Sequence, residues 1–320
     1  MITSKLPMHI PDGFLNLVVS IVLWVISIAV IAIALKRVQS QMNERTVPLM
    51  GVMAAAIFAG QMLNFPVSGG TSGHLLGAAI ATILLGPWAA IVTITSVVAT
   101  QAIVFQDGGL IALGANLFNM AVVGVAVSYA VYKLFKKLIK SEKASVLVSG
   151  FIAAWTSIFI ASLACALELA LSGTISVNIA VPAMGGIHAV IGIGEGLITV
   201  GALVFVLSTR KDLLLGEEKT TATGNRGILV GGSIITMTLA ILSPLASSHP
   251  DGLEWVADQK GFLEAARDSF YNIIPDYVFP GIQSPTVATI AAGIIGSVIV
   301  FGLAYGVASL RQAKQQTVEK

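Results

Sequence analysis

Long apolar runs alternate with short polar breaks along almost the whole chain, and the breaks carry most of its charge. A membrane-spanning helix needs about 20 mostly apolar residues. Nine stretches meet or approach that measure: 15–35, 47–63, 74–86, 88–105, 110–132, 145–171, 182–208, 227–246 and 286–309. The third is short and turns at Gly86-Pro87-Trp88, because glycine and proline end helices. The pattern predicts an all-α, polytopic membrane protein: a seven-helix bundle followed by two further transmembrane helices, with the lipid bilayer as its surroundings.

The basic residues set an orientation. Cytoplasmic loops are enriched in Lys and Arg. Lys36, Arg37, Arg45, Lys133, Lys136, Lys137, Lys140, Lys143, Arg210, Lys211, Lys219, Arg226, Arg311, Lys314 and Lys320 all fall on one side if nine spans are counted from an outside N-terminus. Only Lys5, Lys260 and Arg267 fall on the other. The stronger positive cluster follows the first apolar run, whereas a cleaved signal peptide carries its charge before a shorter one. The first run therefore reads as a retained helix of a multi-pass protein of the cell's inner (plasma) membrane.

Composition agrees. Hydrophobic residues make up 56% of the 320 positions and charged residues 11%, against about 25% charged in soluble domains. The net charge of +2 gives no signal of a nucleic-acid partner. One cysteine, Cys165, rules out an internal disulfide and a cysteine cluster. The polar stretch 209–226 reads as a cytoplasmic linker between residues 1–208 and 227–320. The second unit holds an external loop, 247–285, in which Asp251, Glu254, Asp258, Glu264, Asp268 and Asp276 outnumber Lys260 and Arg267. Within it HPDGLEW (249–255) echoes HIPDGFL (9–15). Pro-Asp-Gly favours turns, so the echo fits two unrelated turns as well as a shared role.

The chemistry rests on four histidines, His9, His74, His188 and His249, none in a predicted cytoplasmic loop. Imidazole suits nickel, cobalt, copper and zinc. Pro11-Asp12-Gly13 would fold the segment carrying His9 back over the bundle. Gly69, Gly70 and Gly73 give the chain before His74 a tight path, tolerated at membrane depth only where protein or a cavity surrounds it. By composition alone, a histidine at a helix end is more often an interfacial or hydrogen-bonded residue than a ligand. No Walker-type phosphate loop occurs, so the chain is read as no ATPase and no enzyme. Glu195 lies mid-helix, two turns after His188. Both residues, with Asn116, are candidates to orient the metal ligands or to make interior polar contacts.

The runs MHIPDGFLN (8–16), NFPVSGGTSGHLLGAAIATILLGPWAAI (64–91), FQDGGLIALGANLFNMAVVG (105–124) and HAVIGIGEGLIT (188–199) closely resemble the CbiM/NikM family. Its members are substrate-binding (S) components of energy-coupling-factor (ECF) importers of cobalt and nickel, with links to cobalamin biosynthesis. Residues 226–310 resemble the PDGLE unit, akin to the small CbiN/NikN component. The resemblance implies Ni2+ or Co2+ as transported substrate, held in a near-plane by the Met8 amine, the His9 amide and imidazole, and the His74 imidazole. Four nitrogens in a plane suit Ni(II). The seven residues MITSKLP precede Met8, so either the true start is Met8, which is the favoured reading, or the extension is removed, or the site is built differently. A separate transmembrane coupling subunit and ATPase subunits are implied as partners.

Gly51, Ala55 and Ala59 form a small-residue stripe that permits close helix contact. The resemblance makes it a docking face for the coupling subunit; packing inside the bundle is the other reading. Two rival functions remain on sequence grounds. A self-sufficient ion-coupled carrier would show paired mid-membrane acids and repeats. A membrane metalloenzyme would need a general base beside an open metal position, and only Asp12 and Asp107 lie near the two histidines in sequence context.

Overall fold

The computed structural model describes residues 8–40, 42–214 and 225–318. The residues before Met8 and the linker core 215–224, with Lys219, lie outside the described residues. Helix α1 (Leu17–Gln39) begins where the Asn16 side chain accepts a hydrogen bond from Val19 N, and ends on Lys36 and Arg37. Basic residues there suit the negative end of the helix dipole. From Leu17 to Ile33 the outward side of α1, including Leu17, Val18, Ile21 and Val25, is exposed and apolar, as suits a lipid-facing surface.

Helix α2 (Thr46–Gln61) is buried over nearly its whole length, as expected of a helix apolar on every side. A two-stranded hairpin follows, β1 (Phe65–Val67) against β2 (Thr71–Gly73). The third expected span contains only an eight-residue helix, α3 (Ala78–Leu85). That is about 12 Å of rise, well short of the ~30 Å hydrocarbon depth. The remainder is extended chain, and Thr71, Ser72, Gly73, Leu75, Leu76 and Gly77 are all buried in it. Helix α4 (Pro87–Val104) starts after Gly86, whose φ of 79° suits glycine, with Pro87 at its first position.

The next span is α5 (Leu113–Leu117), a π-helical turn (Phe118–Val123) and α6 (Gly124–Leu138). Helices α7 (Glu142–Leu171) and α8 (Val177–Thr209) pair along their length. The C-terminal part has α9 (Asn225–Leu242), the short α10 (Gly252–Lys260) and α11 (Pro285–Val318). Among the described residues seven helices are long and apolar enough to cross a membrane, and α2 is a shorter apolar helix. The protein is an all-α, multi-pass membrane protein.

Helices α9 and α11 do not stand apart from the bundle. They clamp α2, with the Phe301 ring of α11 against Gly51, where a Cβ would stand 2.9 Å from it. Val52 fills the space a Cβ on Gly232 of α9 would take, at 2.0 Å. Gly51, Ala55 and Ala59 are therefore buried within this chain, which corrects their reading as a partner-docking face. Spacing of small residues shows that a helix comes close, not which one. Gly51→Val should lower the melting temperature of the isolated protein by the equivalent of about 1–3 kcal/mol of overpacking. A pure partner-docking role would leave that temperature unchanged.

Candidate metal centre

The end of the bundle away from the basic clusters is closed by the N-terminal segment. Pro11-Asp12-Gly13 makes the expected turn, with Gly13 at φ 97°. One oxygen of Asp12 accepts from Ile111 N at 2.9 Å and Ala112 N at 3.0 Å. Asn116 pairs with Ile10 in both directions: its Oδ1 accepts from Ile10 N at 3.0 Å, and its Nδ2 donates to Ile10 O at 3.1 Å. These bonds seat His9 over the bundle. Its backbone N–H donates to Asp107 Oδ1 at 3.2 Å.

The other wall is the segment carrying His74. The Ser72 N–H donates to Pro250 O at 2.8 Å, and the Ser72 hydroxyl to His249 O at 2.9 Å. Beyond His74 the chain is fixed by Glu195. Its carboxylate accepts from Leu76 N at 2.8 Å and Gly77 N at 3.1 Å, capping the start of α3. Gln61 donates to Leu76 O at 3.0 Å.

The two histidine rings meet, with centroids 5.5 Å apart and planes at 67°. Imidazoles bound to one ion at about 2.0 Å place their centroids roughly 4.5 to 6.3 Å apart, depending on the angle at the ion. His9 Nδ1 lies 3.1 Å from Asp107 Oδ1, whereas the buried Nε2 lacks a hydrogen-bond partner, a costly state unless something else binds there. His74 Nδ1 lies 3.1 Å from Leu75 O. A carbonyl only accepts, so Nδ1 carries the proton and Nε2 keeps its lone pair. His188 repeats this device, its Nδ1 2.8 Å from Met184 O.

Met8, His9, His74, Asn116, His188 and Asp251 line one cavity. Among the described residues no three His, Cys, Asp or Glu side chains converge as a metal-binding group. Burial disfavours charge on His9, but the neighbouring Asp107 carboxylate outweighs it and raises the His9 pKa. Burial also pushes the Asp107 carboxyl up; His9 and the hydrogen bonds from His9 and Tyr277 prevail and bring it below the usual carboxylate range. Asp251 is pushed up to about 8 by burial.

Of the sequence candidates, His9, His74, His188 and Asn116 come together, while Glu195 supports the His74 segment from behind. His249 is exposed and contributes its backbone only. Glu168 is buried and accepts from Asn119 at 2.8 Å. Sequence reasoning gave no site role to Tyr277, whose hydroxyl donates to Asp107 Oδ2, and treated Asp107 only as a nearby acid. Asp251 had a hint, the repeated Pro-Asp-Gly.

The fold is that of a multi-pass helical membrane protein with two imidazoles facing one cavity at one end of the bundle. The chain belongs to the CbiM family: the model described as "Cobalt uptake substrate-specific transmembrane region" matches residues 9–213, and the PDGLE domain model matches 226–313. A putative fused nickel transport protein NikMN of Archaeoglobus fulgidus is 37% identical over 310 residues, covering 96% of this chain and 99% of its own. The fused nickel transport protein NikMN of Rhodobacter capsulatus is 32% identical over 266 residues, 78% of this chain and 76% of its own. A crystal structure described as a transition metal transporter aligns with TM-score 0.56 at 34% identity, covering 63% of this chain and 94% of that one.

Proposed function

We propose that the chain is the substrate-binding transmembrane component of an ATP-driven ECF importer for Ni2+ or Co2+. The ion is held by the Met8 amine, the His9 amide and imidazole, and the His74 imidazole. The observation that carries this reading is the approach of the two rings to 5.5 Å in one cavity with Met8. The shortage of side-chain donors favours backbone and terminal nitrogens as the rest of the set. Amine, amide and imidazole of one dipeptide close small chelate rings, and tetragonal nitrogen sites suit Ni(II).

In this reading residues 1–208 form the metal-binding unit with its N-terminus outside. Residues 209–226 form a cytoplasmic linker, and 227–320 an accessory unit whose loop covers the site. His188 and Asn116 orient or enclose the ligands. A coupling subunit and ATPase subunits on separate chains drive release inside.

Two measurements test this. Protein beginning at Met8 should bind Ni2+ about 100-fold more tightly, or roughly 2.7 kcal/mol, than protein retaining residues 1–7, which has no free Met8 amine. Equal affinities would remove the amine from the site. Uptake of Ni2+ or Co2+ by cells should require the coupling and ATPase chains. Uptake undiminished without them would make the protein a self-sufficient ion-coupled carrier.

A further inference from the structure

The carboxylate of Asp107 faces the same two nitrogens of His9 that the proposed function gives to the ion. Oδ1 accepts from the His9 amide at 3.2 Å and lies 3.1 Å from Nδ1. One oxygen within reach of both means that amide and ring are turned to the same side. A chelate ring through N and Nδ1 demands that arrangement. The other oxygen, Oδ2, accepts from the Tyr277 hydroxyl, 170 residues further along the chain.

Tyr277 is held in place by several contacts. It is buried, and its ring stacks on Phe105 at 4.8 Å and 16°. Ile274 N and Asp276 N donate to the carbonyls of Val104 and Phe105, so the strand of chain before Tyr277 is tied to the end of α4. Asp276 and Tyr277 have φ of 54° and 57°. Residues other than glycine take this left-handed conformation only when their surroundings hold them there. Here the held element is the segment that aims a hydroxyl at Asp107. On the ion side Gly108 leaves no room for slack: a Cβ there would stand 3.0 Å from His9 Cβ and 2.9 Å from Asn116 Nδ2.

We propose that Tyr277 is a positioning residue of the ion site, acting through Asp107. Its hydroxyl fixes one carboxylate oxygen, and in the metal-free protein the other holds the His9 amide and imidazole nitrogens on one side, the arrangement a chelate ring needs, giving them up when the ion enters. The inference rests on the reading of Met8, His9 and His74 as ligands. Partners that orient metal ligands typically contribute about 10- to 100-fold in affinity.

The test uses the full chain beginning at Met8, purified in detergent and titrated with Ni2+ against a competing chelator. Tyr277→Phe keeps the ring stacked on Phe105 and removes only the hydroxyl. It should weaken Ni2+ binding about tenfold, with the metal-free protein still folded, its melting temperature lowered only by the loss of about one buried hydrogen bond, and the absorption spectrum of the saturated protein unchanged. Asp107→Asn should weaken binding at least as much, again without altering that spectrum. The double variant should be no worse than Asp107→Asn, because residues acting as one unit do not add. Wild-type affinity in Tyr277→Phe, or additive losses, would overturn the proposal. An altered spectrum in saturated Asp107→Asn would also overturn it, by making Asp107 a ligand. His74→Ala separates the two levels. If it too keeps wild-type affinity, the ligand reading fails; if it alone loses affinity, only the positioning pair fails.

Discussion

His74→Ala is expected to weaken Ni2+ and Co2+ binding by about three orders of magnitude, roughly 4 kcal/mol, while the protein stays folded. The His74 ring presents Nε2 with its lone pair free because Nδ1 faces the Leu75 carbonyl at 3.1 Å. Alanine removes that donor and leaves the ion to complete its plane with water. The fold should survive because the segment is anchored on both sides of the substitution. Ser72 is bonded to Pro250 before it, and Leu76 and Gly77 to Glu195 after it. His9→Ala should cause a loss of the same size, since it deletes the ring and spares the amide. Isothermal titration with a melting curve of the metal-free protein checks both. Unchanged affinity in either variant would remove that residue from the site.

The membrane-spanning architecture was legible because each long helix is written as a continuous apolar run with charged residues at its ends. Helices α1, α4, α7, α8, α9 and α11 all fall on expected stretches. The third span was misjudged in length because hydropathy cannot separate buried extended chain from helix. Apart from the half-buried His74, residues 71–77 are as shielded as α3 itself, and only the Glu195 cap says where the helix starts. The π-helical turn at Phe118–Val123 left no mark in the apolar pattern either.

Of the centre, the two histidines could be picked out because each follows a chain-reversing motif, Pro-Asp-Gly after His9 and the glycine-rich stretch before His74. What escaped was long-range pairing. Tyr277 reaches Asp107 across 170 positions, and Ser72 reaches His249 across 177. Nothing local in either segment specifies the other. The same ignorance of partners left the Gly51, Ala55 and Ala59 stripe ambiguous until Phe301 was found against Gly51.

Glu195→Ala is expected to unmake the segment that carries His74. The carboxylate is fully buried and accepts the N–H groups of Leu76 and Gly77, which have no helical partner because they precede the first turn of α3. Two orphaned N–H groups cost roughly 1–3 kcal/mol each, so the variant should lose about 2–6 kcal/mol of stability. The Gly77 backbone cannot escape by refolding locally. It sits at φ 77° with Ile57 2.7 Å from where a Cβ would be. Glu195→Gln keeps one accepting oxygen and turns the other position into a donor facing a donor. Its loss should be near half that of alanine. Because His74 lies two residues before Leu76, metal affinity should fall with stability in the same order: wild type, glutamine, alanine. A merely electrostatic role for the carboxylate would instead make glutamine and alanine equally poor in binding and equal to wild type in melting temperature.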